Sequence, residues 1–232
     1  IEHRLRAVGA RFDVMNETAL LDASVQALIE EKALGWFQGR MEFGPRALGA
    51  RSILGDARSE RMQSTLNLKV KFRESFRPFA PSVLREAVHE WFNLDGDSPY
   101  MLLVDEVLPV QRRPMTQAQK QLFGIEKLNV PRSTIPAVTH VDYSARIQTV
   151  HRETNPRYHA LIQRFKERTG CPVIVNTSFN VRGEPIVGSP EDAFRCFMGT
   201  GIETLSIGRC FLLKEDQVSR LLIDYYDRFE LD

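Results

Sequence analysis

Apolar and polar residues alternate with two different periods along this chain, and the switches between them predict a mixed α/β (α+β) fold. Residues 22–32 put Val25, Leu28 and Ile29 on one face of a helix, and residues 33–38, Ala-Leu-Gly-Trp-Phe-Gln, are short, apolar and aromatic like a buried strand. Helical patterns return at 56–68, with Asp56 as candidate cap, at 85–92, and at 156–169, where Pro156 opens and Gly170 closes the helix. A further helix spans 190–198 with Pro190 in its first turn, and a charged helix with an aromatic stripe is predicted from Gln217 onward. Strand patterns fall at 79–84, 100–107, 145–150 and 171–175, and a pair of strands brackets Gly208 within 204–213. Residues 109–136 carry four prolines and little periodicity, as in a surface excursion or lid. The chain opens at Ile1 inside a helix-like pattern, without methionine or cap, as expected of a piece of a longer polypeptide. The division expected is a helical lead-in over 1–33 and a main domain over 34–232.

With 232 residues and 43% hydrophobic content, one sizeable core is within reach. Composition otherwise says little. Cys171, Cys196 and Cys210 lack metal or disulfide spacing and read as reduced structural thiols of a cytoplasmic protein. No apolar run approaches the ~20 residues of a membrane helix. The net charge is only +1, yet between Arg40 and Arg77 nine basic residues stand against four acidic ones. A local basic field in a neutral chain points to a small anion rather than to a long polyanion.

The basic residues come in patterns suited to such an anion. Gly39 to Arg51 threads three arginines through glycines. Guanidinium forks match phosphate or carboxylate oxygens, and Gly44-Pro45 predicts a helical turn over 46–50 whose N–H groups add to the field. Arg46 is the strongest candidate here. Lys71, Arg73 and Arg77, interleaved with Phe72, Phe76 and Phe79, place cations at alternate positions of an extended segment. Arg146 alternates with apolar residues on a strand, so it needs a buried anion or carboxylate partner. Residues 176–185, Asn-Thr-Ser-Phe-Asn-Val-Arg-Gly-Glu-Pro, gather hydroxyl and amide groups where a buried strand ends. No histidine or cysteine groups with a nucleophile, and no residue is singled out as a metal ligand. Chemistry by positioning and charge stabilisation, as in phosphoryl or nucleotidyl transfer, fits this inventory.

Five blocks in order carry a family resemblance: 39–49 (Gly-Arg-Met-Glu-Phe-Gly-Pro-Arg-Ala-Leu-Gly), 76–81 (Phe-Arg-Pro-Phe-Ala-Pro), 136–142 (Pro-Ala-Val-Thr-His-Val-Asp), 145–150 (Ala-Arg-Ile-Gln-Thr-Val) and 176–187. Together they resemble the C-terminal domain of the O-carbamoyltransferases of nodulation-factor and antibiotic biosynthesis. The resemblance implies a YrdC-like twisted mixed sheet flanked by helices with a basic concave face. It implies that the domain uses ATP with Mg²⁺ and carbamoyl phosphate to make carbamoyl-adenylate. A preceding actin-like domain, holding iron, would pass the carbamoyl group to a hydroxyl acceptor. On the resemblance, Arg46, Lys71, Arg77 and Arg146 bind carbamoyl phosphate or the ATP phosphates, and Asn176, Ser178, Asn180 and Arg182 line the nucleotide side. Three departures stand out: Tyr143-Ser144 where Gly-Thr is expected, Gly188-Ser189 for Cys-Thr, and the 109–136 excursion. A nucleic-acid-binding module of the same fold and a non-catalytic docking domain are the alternatives. Modest charge and the lack of aromatic stacking repeats weigh against the first.

Overall fold

A computed structural model describes residues 1–74, 77–128, 130–181 and 183–219. Its framework is a nine-stranded sheet made of β1 (Asp13–Val14), β2 (Leu34–Phe37), β3 (Arg51–Asp56), β4 (Ala80–Leu84), β5 (Leu103–Glu106), β6 (Ser144–Val150), β7 (Val173–Ser178), β8 (Thr204–Ile207) and β9 (Cys210–Leu213). The spatial order is β1-β9-β8-β2-β3-β7-β4-β6-β5. Only β2 with β8 and β4 with β6 run parallel, so the sheet is mixed. Helices α1 (Glu2–Ala7) and α8 (Pro190–Gly199) pack together beside β2 and β8, whereas α2 (Glu17–Ile29) and α7 (Pro156–Thr169) pack together against β3, β4 and β7. The first 33 residues therefore join the same sheet and core, with β1 paired to β9. Shorter helices complete the chain: α3 (Met62–Lys69), α4 (Val88–Trp91), α5 (Gln117–Gln121) and α6 (Gly124–Leu128), the last two inside the 109–136 excursion. None of the described helices is long and apolar enough to cross a membrane.

Local signals account for two of the three longest helices. Asn155 caps α7 through a bond from the Tyr158 N–H, Pro156 supplies the first helical position, and Gly170 closes it at φ +77°. Ser189 and Asp192 form a capping box at α8, again with proline at the first position.

Elsewhere the structure corrects the sequence reading. The helix expected at 56–68 begins only at Met62, because Asp56 ends β3, a central strand buried along its whole length, and residues 57–61 turn between the two. The charged ends of β3 are accommodated by partners distant in the chain or on the next turn. The Arg51 guanidinium lies 3.5 Å from the Phe37 ring centroid, and Asp56 pairs with Arg58 at 2.6 Å. The strand foreseen at 171–175 runs two residues later, which puts Asn176, Thr177 and Ser178 inside the sheet between β3 and β4. No helical turn forms over 46–50. The stretch 85–92 is a 3-10 turn followed by α4. Of the helix expected from Gln217, residues 220–232 lie outside the described residues.

Candidate functional site

Four segments converge at the end of β7. The loop between β2 and β3 brings Arg46 and Ala47. The chain leaving α3 brings Lys71, Arg73 and Arg77. β6 brings Arg146, and β7 itself brings Asn176, Thr177 and Ser178. Two cavities of about 200 and 170 Å³ meet at Arg73, Thr177 and Ser178; Lys71 and Arg77 line the first, Arg46 and Arg146 the second. Of the eight residues expected at the site, seven thus fall on or beside one cleft, while Arg182 lies outside the described residues.

The Gly/Arg loop is held differently from expectation. Three of its N–H groups are already engaged: those of Leu48, Ala50 and Arg51 donate to Oε1 of Glu42 at 2.6, 2.8 and 3.3 Å. The loop carries its own anion. Arg51 is structural as well, donating to the carbonyls of Gln38 and Gly39. Arg46 and Arg146 are left facing the second cavity, and among the described residues neither has a carboxylate or hydrogen-bond partner. Burial, and after it the like charge of Arg46, lower the Arg146 guanidinium from its ordinary value. Two guanidiniums of like charge lining one small cavity carry donors and charge that match the oxygens of a dianion.

The segment after α3 is not extended either. Phe72 sits in the left-handed region at φ +49° with its side chain buried, and the N–H groups of Lys71 and Arg73 bond back to the carbonyls of Leu66 and Asn67. Asn67, itself buried, fastens both ends of this turn by accepting from Arg73 Nε at 2.7 Å and donating to the Arg77 carbonyl at 2.7 Å. Arg73, which sequence patterning placed among the cations without choosing it for the site, stands where the two cavities meet and rests on the Phe79 ring. Its even spacing with Lys71 was the available signal.

A scan of family models places residues 25–214 in the carbamoyltransferase C-terminus family. This chain belongs to that family. Among curated relatives, the protein sll1178 of Synechocystis sp. is 57% identical over 97% of this chain and 37% of its own length. The nodulation protein NolO of Bradyrhizobium diazoefficiens is 38% identical over 94% of the chain and 36% of its own. The 3'-hydroxymethylcephem-O-carbamoyltransferase of Streptomyces clavuligerus is 35% identical over 78% and 30%. The chain therefore spans about a third of the length of these relatives. Among solved structures, full-length HypF in its phosphate- and nucleotide-bound form aligns with a TM-score of 0.47 at 16% identity, over 85% of this chain and 21% of that one.

In this carbamoyltransferase domain, Lys71 has a distinct environment. Its Nζ donates to the carbonyls of Ser178 and Asn180 at 2.5 and 2.8 Å and to Asn180 Oδ1 at 2.9 Å, with Ser178 Oγ at 3.3 Å. Ser178 Oγ in turn donates to Asn180 Oδ1 at 2.7 Å, and Asn180 Nδ2 to the Glu184 carbonyl at 2.8 Å. Lys71 thereby pins the turn that follows β7. Burial lowers its ammonium from the ordinary 10.5 to about 7, with Cys196 opposing and Arg73 adding to the effect. The unfolded chain keeps this proton up to about 10.5 and the folded chain only to about 7. The folded state thus binds fewer protons across that window, and stability should rise with pH there. Urea denaturation of wild type and Lys71→Met across the window should show the wild-type advantage growing as pH rises. A flat difference would mean that the four oxygens hold the proton against burial.

The three cysteines are free and buried, and burial pushes the Cys171 and Cys196 thiols up to about 12. Among the described residues no three His, Cys, Asp or Glu side chains group to hold a metal ion.

Proposed function

We propose that this chain binds carbamoyl phosphate and ATP and forms carbamoyl-adenylate, which an actin-like transfer domain of the same polypeptide passes to a hydroxyl acceptor. The observation that carries the reading is the Arg46–Arg146 pair, two guanidiniums on one small cavity with no carboxylate beside them among the described residues. The name of the S. clavuligerus relative, an O-carbamoyltransferase for a hydroxymethyl group, supports the acceptor class. The extra length of the relatives leaves room for the transfer domain.

The reaction balances in two steps. Water takes the phosphoryl group of carbamoyl phosphate, leaving carbamate and phosphate. A carbamate oxygen then attacks the α-phosphorus of ATP, and the bond to pyrophosphate breaks. In this scheme Arg46 and Arg146 hold the phosphate of carbamoyl phosphate and neutralise charge on the departing group. Arg73 and Arg77 reach the ATP phosphates, and Ser178 with Asn180 lines their path. Lys71 acts by fixing the Ser178–Asn180 turn. Among the described residues no carboxylate lines either cavity, so a Mg²⁺ ion would have to be held by the triphosphate and water rather than by these side chains. Bound there, it would shield the triphosphate charge.

Titration calorimetry with carbamoyl phosphate and with Mg-ATP, followed by pyrophosphate release when both are present, tests the reading. Heat from each ligand is the expected result; absence of binding by both overturns it.

A further inference from the structure

The 109–136 excursion is tied together by contacts of its own. Arg112 and Ser133 form an isolated β-bridge, the Arg113 N–H donates to the Arg132 carbonyl at 2.8 Å, and Thr134 is bonded to Gln111 through both backbone and side chain. Arg132 is only 3% exposed, and its guanidinium donates to the Lys127 carbonyl, which ties α6 to the returning chain. This lobe and residues 141–143, just ahead of β6, line a cavity of about 540 Å³ that shares no lining residue with the two at the end of β7.

Four cations line it, Arg112, Arg113, Lys120 and Lys127, and no carboxylate does. The two arginines are already held. Arg112 pairs with Glu106 at 2.6 Å and lies 4.5 Å from the Tyr143 ring centroid, and Arg113 pairs with Glu60 at 2.6 Å. Lys120 on α5 and Lys127 on α6 have no carboxylate partner among the described residues, so two positive charges on the lining are unanswered. Apolar walls complete the cavity, from Met115, Val141, Tyr143 and two prolines. Tyr143 supplies the independent sign of a ligand. Its backbone is held at φ +66°, a left-handed conformation that favours glycine, by its N–H donating to the His140 carbonyl at 3.0 Å and its carbonyl accepting from the Val107 N–H at 2.9 Å. A bulky residue kept in such a conformation on a cavity wall is a mark of ligand sites.

We propose that this cavity binds a small organic anion, a phosphate or carboxylate carried on a flat apolar body. Lys120 and Lys127 meet the charge, and Tyr143, Met115 and Val141 meet the body. A long polyanion fits less well. Glu60 and Glu106 stand exposed beside the lining arginines without lining the cavity themselves, and they would repel a phosphate backbone drawn across the opening.

Calorimetric titration of the unaltered chain with naphthyl phosphate and naphthoate, beside naphthol and inorganic phosphate, tests the proposal. At least one aromatic anion should bind about tenfold more tightly than naphthol and than inorganic phosphate, because only it meets both the lysines and the apolar walls. Lys120→Gln combined with Lys127→Gln should lower that affinity about tenfold and leave the heat from carbamoyl phosphate unchanged. Tyr143→Gly, whose residue suits the φ +66° backbone, should weaken it as well and gives a second reading that does not depend on the lysine variant. Naphthol or inorganic phosphate binding as tightly as the aromatic anions, binding of none of the four, or full affinity in both variants overturns the proposal. So does a single-stranded oligonucleotide that binds through the same lysines more tightly than either aromatic anion.

Discussion

Arg146→Ala should weaken carbamoyl phosphate binding by about ten- to a hundredfold while leaving the thermal midpoint nearly unchanged. A hydrogen bond to a charged group contributes about 1.5–3 kcal/mol, and about 1.4 kcal/mol is a factor of ten in affinity. The stability half of the expectation follows from the surroundings. Arg146 is half-buried on β6, has no carboxylate to strand among the described residues, and is pushed by the like charge of Arg46. Removing it relieves that repulsion and uncovers no unpaired partner. Arg146→Lys should fall between, since an ammonium restores charge but not the two-pronged geometry of guanidinium. Calorimetry and a thermal melt on the same samples check both halves. Unchanged affinity would remove the guanidinium pair from the site; lost affinity with a collapsed melt would make Arg146 a structural residue.

What could be read along the chain and what could not divides by the range of the signal. Helix α7 announces itself within a few residues through Asn155, Pro156 and Gly170, and α8 does the same through Ser189, Pro190 and Asp192. β3 does not, because Arg-Ser-Ile-Leu-Gly-Asp holds only two large apolar residues, and its burial comes from β2 and β7 on either side. Arg46, Lys71, Arg77 and Arg146, which the family resemblance groups together, line adjoining cavities. The resemblance could not distribute their tasks. Nothing in the spacing of Glu42 says that its carboxylate takes the loop's own N–H groups, nor that Lys71 turns inward to Ser178 and Asn180. Those assignments depend on a left-handed Phe72 and on Asn67 reaching the Arg73 side chain and the Arg77 carbonyl, contacts with no local period.

Gly49→Ala is expected to be the most damaging single-methyl change near the site. Two costs combine there. The backbone is at φ +103°, outside the range L side chains readily adopt, and an added Cβ would lie 2.3 Å from Cδ1 and 2.6 Å from Cγ of Tyr158. The ring cannot swing aside, since Tyr158 is fully buried on α7 among core residues. Overpacking a filled core costs about 1–3 kcal/mol, and a strained left-handed backbone about 1–3 kcal/mol more. The peptide is also tied down, with its carbonyl accepting from Trp36 Nε1 at 2.9 Å and Gln38 Nε2 at 2.7 Å and its N–H donating to Ser52 Oγ at 3.0 Å. Urea denaturation should show a loss of about 2–6 kcal/mol. Gly39→Ala, at φ +53° with open space around the added carbon, should lose only about 1 kcal/mol. Equal losses at the two positions would reject the clash with Tyr158. A large difference would mean that Gly49 is required for α7 to lie close beneath the loop, and hence for the loop to hold Arg46 over the cavity, rather than for any approach of backbone to ligand.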